Sequence, residues 1–208
     1  MSEKLPNRIP VFPLRNAIFF PETNLPLNIF EKRYLKMVEK AIKSNGVLGM
    51  IQSKEVDGDV FDVGCLGKIN SHKKTHDGRI LINLYGLSRF KISKEINNDE
   101  PFREFIVNYD FFKKDKSPEY FIEDSLLDRL IKNSKKLFER QGMVLNWREL
   151  SKLKKSQQIY NLIMISPFSV GEKQKLLELP EIEDIAKTFI DITNFSFYEK
   201  SNQDNTIQ

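Results

Sequence analysis

The first half of the chain alternates short apolar runs with turn residues, a pattern that predicts strands with one helix among them. Four prolines exclude a continuous helix over residues 9–27, because each lacks an N–H and restricts the residue before it. They are Pro10, Pro13, Pro21 and Pro26. An apolar stripe at helical spacing then runs from Tyr34 to Ile42. It predicts a helix that Asn28 caps, with Glu31 reaching back to the cap, and that Gly46 ends.

Five strand-like segments follow this helix. They cover residues 47–52, 63–70, 79–85, 88–93 and 102–112. Apolar residues alternate along residues 80–85 with the period of two that is typical of a strand. Asp77-Gly78 predicts a tight hairpin turn, and Gly86 is expected to separate the next two strands.

Helical spacing dominates the second half. Apolar residues recur at intervals of three and four from Phe121 to Phe138, and another buried helix is expected over residues 159–165. Helix starts are predicted at Ser117, Asn146 and Ser169, the last as a capping box with Glu172. A last helix is expected over residues 181–193, followed by a polar, flexible tail.

Composition excludes several classes of protein. Its 208 residues suffice for a core without disulfides, and a single cysteine, Cys65, excludes a disulfide framework within the chain and a multi-cysteine zinc site. The N-terminus lacks the apolar segment of a signal peptide, and the apolar runs are too short to span a membrane. We therefore expect a cytoplasmic protein without membrane contact.

Common catalytic signatures are missing from the sequence. It contains no phosphate-binding loop, no GxGxxG, no GxSxG and no HExxH. Cys65, His72 and His76 are spaced C-x6-H-x3-H, and with Asp77 they could form a metal site or a thiol–histidine nucleophile. The alternative is structural: the histidines flank the predicted hairpin turn, and a thiol packs well in a strand. We favour this alternative and expect no cofactor, no metal and no catalytic residue.

Charge is unevenly distributed, although the formal net charge is only +4. Between Arg129 and Lys155, nine basic residues face two acidic ones, whereas residues 172–191 carry a net charge of −3. The basic segment is either a solvated helix face or a surface for an acidic partner or nucleic acid. Trp147 lies within it and is expected to be a core anchor rather than a base-stacking platform.

Three charged residues stand among apolar neighbours: Glu31, Arg33 and Arg89. One interpretation is a structural ion pair that ties the helix to a strand. The other is a guanidinium that faces a ligand. Both remain open at this point.

Several ordered segments resemble the Lon protease N-terminal, substrate-binding domain in its stand-alone form. The most recognisable runs from Leu25 to Tyr34 (LPLNIFEKRY), after the opening strand Ile9–Leu14. Phe20-Pro21 lies between these two segments. Further matches follow them in order: Gly49-Met50, Gly64-Cys65 with Gly67, Asp77-Gly78-Arg79, Gly86-x-x-Arg89-Phe90, Pro167-Phe168 and residues 172–178. The resemblance covers roughly residues 7–195.

This resemblance implies an α+β fold, in which a PUA-like β pseudo-barrel with one inserted helix precedes a C-terminal helical bundle. The expected parts are a β-rich subdomain over residues 7–112, a helical subdomain over 117–195 and a flexible tail over 196–208; residues 7–195 form one family unit. Most matching residues should be structural, with Phe12, Phe20, Ile29, Phe30 and Phe90 filling the barrel. The ATPase and Ser–Lys protease modules of a full Lon protease do not fit in this length, so no enzyme is expected.

The resemblance also implies recognition of polypeptides. We expect a non-catalytic module that binds unfolded or exposed hydrophobic segments, in protein quality control and with a protease or chaperone as partner. Sixteen phenylalanines favour an exposed apolar groove, for which Phe19, Phe20 and Tyr34 are the candidates. The alternative is an RNA-binding protein that uses residues 129–155; steep salt dependence would distinguish it.

Overall fold

The computed structural model describes residues 4–55, 58–116 and 121–204. The chain divides into two compact units, residues 1–118 and residues 119–208. Within the described ranges, strands, one α-helix and one 3-10 helix form the first unit, and α-helices form the second. The expected α+β fold, a β pseudo-barrel with one inserted helix followed by a helical bundle, is confirmed.

The first unit contains six strands. They are β1 (Arg8–Leu14), β2 (Asn24–Ile29), β3 (Val47–Ser53), β4 (Val60–Lys74), β5 (Ile80–Ile96) and β6 (Glu104–Asn108). Helix α1 (Lys32–Ile42) lies between β2 and β3, and a 3-10 helix covers Asp110–Lys116.

The strands close into a barrel. Their order is β2-β5-β4-β3-β1-β6, and an additional pairing between β5 and β6 completes the circle. Strands β1 and β3 are parallel, and the other pairs are antiparallel. The second half of β5 pairs with β6, whereas its first half pairs with β2. Strand β2 and the adjoining ends of β4 and β5 therefore extend the sheet beyond the closed barrel.

The hairpin between β4 and β5 forms where Asp77-Gly78 predicts it. Gly78 has a φ of +85°, and the Thr75 amide donates to the Arg79 carbonyl at 2.9 Å. Ile80, Ile82 and Leu84 are buried, which confirms the alternation read from the sequence. Gly86, however, does not separate two strands, because β5 continues through it.

Gly86 instead makes room for a chain crossing. A Cβ atom at this position would lie 2.0 Å from the Phe20 carbonyl oxygen, far inside contact distance. The Glu22 amide donates to the Gly86 carbonyl at 2.9 Å, and the Gly86 amide donates to that of Thr23 at 3.0 Å. The segment before β2 is thus held against β5 by backbone contacts that only glycine permits.

Apolar residues from five strands and the segment after β6 fill the barrel. Its core includes Ile9, Val11, Val47, Ile51, Leu66, Phe90, Phe105, Val107 and Tyr109. Phe12, Phe20, Ile29 and Phe90 are buried as expected. Phe30 is not a core residue, since 65% of it is exposed just after the end of β2.

Helix α1 buries the face that carries Tyr34, Met37, Val38 and Ala41. The predicted cap at Asn28 is wrong, because β2 extends through Ile29 and its pairing with β5 holds Asn28 opposite Leu81. Glu31 occupies the capping position, and its carbonyl accepts from the Tyr34 and Leu35 amides. The consequence for the site is that Glu31 and Arg33 both lie at the start of this helix.

The second unit consists of α2 (Asp124–Arg140), α3 (Trp147–Leu150), α4 (Lys155–Ile165), α5 (Val170–Glu178) and α6 (Ile182–Asp204). Two predicted starts are confirmed. The Asn146 side chain accepts from the Glu149 amide, and Ser169 forms a capping box with Glu172. The predicted start at Ser117 lies outside the described residues.

Two features of the second unit differ from the sequence prediction. Phe121 lies before α2 and is 83% exposed, whereas the neighbouring Ile122 is buried. The last helix, expected to end at residue 193, continues to Asp204. Across the described ranges, no helix is both long and apolar enough to cross a membrane.

Candidate functional site

A surface groove of about 270 Å³ lies in the first unit, where the end of β1 meets the start of α1. The end of β3 and the connection from β5 to β6 complete its walls. Its lining residues are Pro13, Leu14, Arg15, Glu31, Arg33, Tyr34, Ser53, Gly58, Pro101, Phe102 and Arg103. The groove thus collects residues from four separate parts of the chain.

The apolar part of the lining rests on packed aromatic side chains. The Tyr34 ring lies 4.2 Å from the Phe12 ring, centroid to centroid, and both residues are buried. Phe102 is also buried, whereas Leu14 is half-buried and Pro101 is exposed. A partner would therefore meet a firm apolar surface, as binding sites for apolar groups generally provide.

Two arginines of the groove are fixed by carboxylates. Arg33 pairs with Glu31 at 3.0 Å, and its guanidinium lies 4.6 Å from the centroid of the Tyr34 ring. Arg103 makes two hydrogen bonds to Glu95, at 2.6 and 2.7 Å, and donates to the Gly58 carbonyl at 3.2 Å. The hydrogen bond from Arg103 lowers the pKa of the Glu95 carboxyl from its usual value.

Arg15 differs from these two arginines. It is exposed at the end of β1, and no carboxylate lies within ion-pair distance of it among residues 4–55, 58–116 and 121–204. Asn16 follows with a φ of +65°, a left-handed conformation that asparagine tolerates. The chain turns here, directly after the pairing of Leu14 with Gln52 fixes the end of the strand.

Of the three residues proposed to line a groove, only Tyr34 does so. Phe19 is 2% exposed and Phe20 is fully buried, so both belong to the core. The physical reason is the neighbouring glycines. The Phe19 ring fills the space that a Cβ on Gly67 would occupy, at 2.7 Å, and the Phe20 carbonyl crosses Gly86. Their prediction as exposed binding residues is therefore wrong.

The predicted ion pair between α1 and a strand is also corrected. Glu31 pairs with Arg33 on its own helix start, while Arg89 pairs with Asp115 of the 3-10 helix. The Arg89 guanidinium donates to both Asp115 oxygens, at 2.8 and 2.9 Å, and the Arg89 amide donates to Asp115 as well. Both side chains are inaccessible to solvent, and Arg89 also covers the Phe112 ring. Arg89 is thus structural, whereas Arg33 faces the groove.

Cys65 and the two histidines are not brought together. Cys65 is fully buried on β4, opposite Arg89, whereas His72 and His76 are exposed. His72 lies seven positions after Cys65 along the extended strand, a distance of roughly 23 Å. Burial raises the pKa of the Cys65 thiol well above its usual value, with the Asp115 charge adding to the effect. In the part of the chain that the structure describes, no group of three His, Cys, Asp or Glu residues is placed to hold a metal ion.

The basic segment 129–155 is partly neutralised within the second unit. Lys152 pairs with Glu149 at 2.6 Å, and Lys155 pairs with Asp124 at 2.8 Å. Lys135 lies over the Trp147 ring and Arg140 over the Phe197 ring. Trp147 itself is half-buried, and its ring lies 5.8 Å from the Phe138 ring. Arg129, Lys132 and Lys136 remain as exposed cations on α2.

Sequence reasoning missed most of the groove. Leu14 ends β1 and Arg15 follows it, whereas Pro101, Phe102 and Arg103 lie about 90 residues later in the chain. The antiparallel pairing of β1 with β6 brings these segments together. One feature of the sequence indicated part of the groove: the LPLNIFEKRY segment contains three lining residues, Glu31, Arg33 and Tyr34.

Comparison with known proteins supports the fold and the family. The model of the "ATP-dependent protease La (LON) substrate-binding domain" family matches residues 8–194. The Lon protease of Buchnera aphidicola (subsp. Acyrthosiphon pisum) is 28% identical over 189 residues, which are 85% of this chain and 23% of that protein. Lon protease 1 of Bdellovibrio bacteriovorus is 26% identical over 199 residues, 88% of this chain and 24% of that protein. The chain thus spans about a quarter of the length of these curated relatives.

Two solved structures share this fold. A Lon N-terminal domain protein from Xanthomonas campestris superposes with a TM-score of 0.65 at 21% identity, covering 88% of this chain and 97% of that one. The N-terminal domain of the Mycobacterium avium complex Lon protease gives a TM-score of 0.62 at 16% identity, covering 90% and 98%. The agreement covers nearly all of each domain.

Proposed function

Because this chain belongs to the family of ATP-dependent protease La (LON) substrate-binding domains, we propose that it is a non-catalytic module that recognises polypeptides. It binds unfolded or exposed hydrophobic segments of other proteins and serves protein quality control. Its partner is a protease or a chaperone that acts on the captured chain. The cytoplasmic location expected from the sequence is part of the same proposal.

One observation carries this proposal: the groove that collects Leu14, Tyr34, Pro101 and Phe102 beside three arginines. Its firm apolar lining suits side chains that an unfolded protein exposes, and the charged rim keeps the site hydrated when empty. Apolar contact does not read a sequence strictly, so one groove serves many clients. Family membership alone would leave the binding surface unspecified.

Binding to a permanently unfolded protein tests the proposal. Reduced, carbamidomethylated α-lactalbumin labelled with fluorescein is titrated with the folded chain, and anisotropy gives the Kd. We expect saturable binding that Leu14→Gln weakens about fivefold or more, because one apolar contact of the groove is replaced by an amide. Leu81→Gln is the matched control, since Leu81 is exposed on β5 and does not line the groove.

The outcomes of this titration separate the alternatives. Equal Kd values for the wild type and Leu14→Gln, with weaker binding by Leu81→Gln, would move the site to the extended sheet. Absence of binding to any unfolded client would refute the proposal. Thermal melts of both variants show whether a loss of affinity arises from unfolding.

A further inference from the structure

The charges around the groove point to the kind of segment it takes. Three guanidinium groups and one carboxylate line it among the described residues: Arg15, Arg33, Arg103 and Glu31. Beyond the lining, Glu95 binds Arg103. The inference below rests on the proposed function, because it names the chemistry of the polypeptide that the groove binds.

Arg33 and Arg103 are already held in place. Arg33 has the Glu31 carboxylate at 3.0 Å and the Tyr34 ring beneath it. Arg103 has two hydrogen bonds to Glu95, one to the Gly58 carbonyl, and the Phe105 ring at 5.0 Å. These contacts supply both guanidiniums with partners from within the chain. The two guanidiniums shape the walls and require no charge from the ligand.

Arg15 has a different requirement. Its guanidinium is solvated, and within the described ranges no carboxylate pairs with it. A purely apolar segment lying across the groove would remove water from this charge without supplying a hydrogen-bond acceptor in its place. Leaving a covered charge without a partner is unfavourable, whereas a carboxylate placed beside it restores the lost hydrogen bonds. Guanidinium and carboxylate also match in shape, with two parallel hydrogen bonds.

We propose that the groove binds polypeptide segments that carry an aspartate or glutamate side chain beside their apolar residue, with Arg15 binding that carboxylate. The apolar residue contacts Leu14, Pro101 and the Tyr34–Phe102 surface. Arg15, at the open end of β1, then selects among the apolar segments of an unfolded protein. Segments flanked by neutral or basic residues bind more weakly.

Paired peptides test this selection. Overlapping peptides that cover carbamidomethylated α-lactalbumin are first screened, and the tightest binder that contains an acidic residue is made again with that residue as Gln or Asn. We expect the acidic peptide to bind the wild-type chain about fivefold more tightly than its neutral twin. Arg15→Gln should abolish this difference, and Arg15→Lys should keep only part of it, because an ammonium lacks the planar fork.

Arg148→Gln is the matched control. Arg148 is exposed, lies on α3 outside the groove, and is unpaired within the described part of the chain. This variant should keep the full preference for the acidic peptide. A preference that survives in Arg15→Gln would overturn the assignment, and so would loss of the preference in Arg148→Gln.

The experiment distinguishes this inference from the function on which it rests. If the wild-type chain binds acidic and neutral peptides equally, the selection by Arg15 is wrong and the proposed function stands. If no peptide and no unfolded client binds, the proposed function fails with it.

Discussion

At the scale of single residues, Arg89 and Asp115 carry opposite charges where water does not reach. The pair joins β5 to the 3-10 helix through three hydrogen bonds of 2.8 to 2.9 Å. Removal of one partner leaves the other charge buried and uncompensated. We therefore expect Asp115→Asn or Arg89→Met to lower the free energy of unfolding by about 3–5 kcal/mol, measured by urea denaturation.

The exposed pair of Arg79 and Asp77 is the control for this prediction. Both side chains are about half exposed, at a distance of 2.8 Å. Arg79→Gln should lower the free energy of unfolding far less than either buried variant, because water and salt screen the pair. The double variant Arg89→Met/Asp115→Leu should be less unstable than either single variant. Equal small losses from the buried and exposed pairs would contradict the structural role of Arg89.

Glu104 predicts how stability depends on pH. Burial raises the pKa of its carboxyl, but the hydrogen bonds from Arg8 and Lys40 outweigh this effect, and the net pKa is lowered. The unfolded chain then takes up a proton first as the pH falls below the ordinary carboxyl value of 4.5. The stabilisation by Glu104 is complete above that value and is lost as the pH falls through the lower, folded-state pKa.

Glu104→Gln isolates this contribution from those of other carboxylates. At pH 7 the variant should unfold with about 1.5–3 kcal/mol less free energy than the wild type, because bonds to a charged group are lost. The difference between the two proteins should shrink as the pH falls below 4.5 and through the lower, folded-state pKa, because both states are protonated below it. Urea melts at several pH values measure it, and a difference that is constant with pH would disprove the linkage.

The groove shows which residues a sequence can assign and which it cannot. Tyr34 lies in a segment with a recognisable motif, so its importance was visible. The burial of Phe19 and Phe20 could not be predicted from the sequence around them. It depends on close contacts with Gly67 and Gly86, which lie far away along the chain. The pairing of Arg89 with Asp115 was not predicted either, because Asp115 lies in a 3-10 helix that no apolar periodicity predicts.

At the scale of elements, substitutions at two glycines in open surroundings test the effect of backbone conformation on stability without a change in packing. An added Cβ would contact nothing within 4 Å at either Gly171 or Gly142. Gly171 lies in the first turn of α5, whereas Gly142 follows α2 with a φ of +65°. Gly171→Ala should therefore stabilise the protein by about 0.5–1 kcal/mol, because alanine favours the helix.

Gly142→Ala is the matched opposite. It should destabilise the protein by about 1 kcal/mol, because a Cβ is unfavourable in the left-handed region that ends a helix. Melting curves of the two variants, recorded together, should shift in opposite directions. Shifts of the same sign would mean that something other than backbone conformation dominates at one of the two sites.

Helix starts and the hairpin were predicted well where a short local motif determines them. Ser169 with Glu172, Asn146 with Glu149, and Asp77-Gly78 each act within four residues, so the linear sequence contains the whole cause. The predictions for Asn28 as a helix cap and for Gly86 as a strand end were wrong because sheet pairing overrides local preference. Pairing with β5 keeps Asn28 in a strand, and backbone crossing uses Gly86 without ending β5.

At the scale of the whole molecule, two surfaces are candidates for binding a partner: the cations of α2 and the groove of the first unit. Exposed lysines and one arginine on α2 suit phosphates, whereas the groove of the first unit suits apolar side chains with one carboxylate. Four of the nine cations in the basic segment already contact carboxylates or aromatic rings of the same unit. We therefore expect the groove to determine what the protein binds.

Salt dependence decides between these surfaces. Between about 50 and 500 mM salt, the affinity for an unfolded client should fall by less than about fivefold, because one exposed ion pair contributes at most about 1 kcal/mol. Single-stranded RNA held by only three phosphate contacts would lose about a hundredfold over the same range. Replacing Arg129, Lys132 and Lys136 by glutamine should leave client binding unchanged. RNA binding that is tighter than client binding at about 150 mM salt, and that this triple variant removes, would transfer the function from the groove to α2.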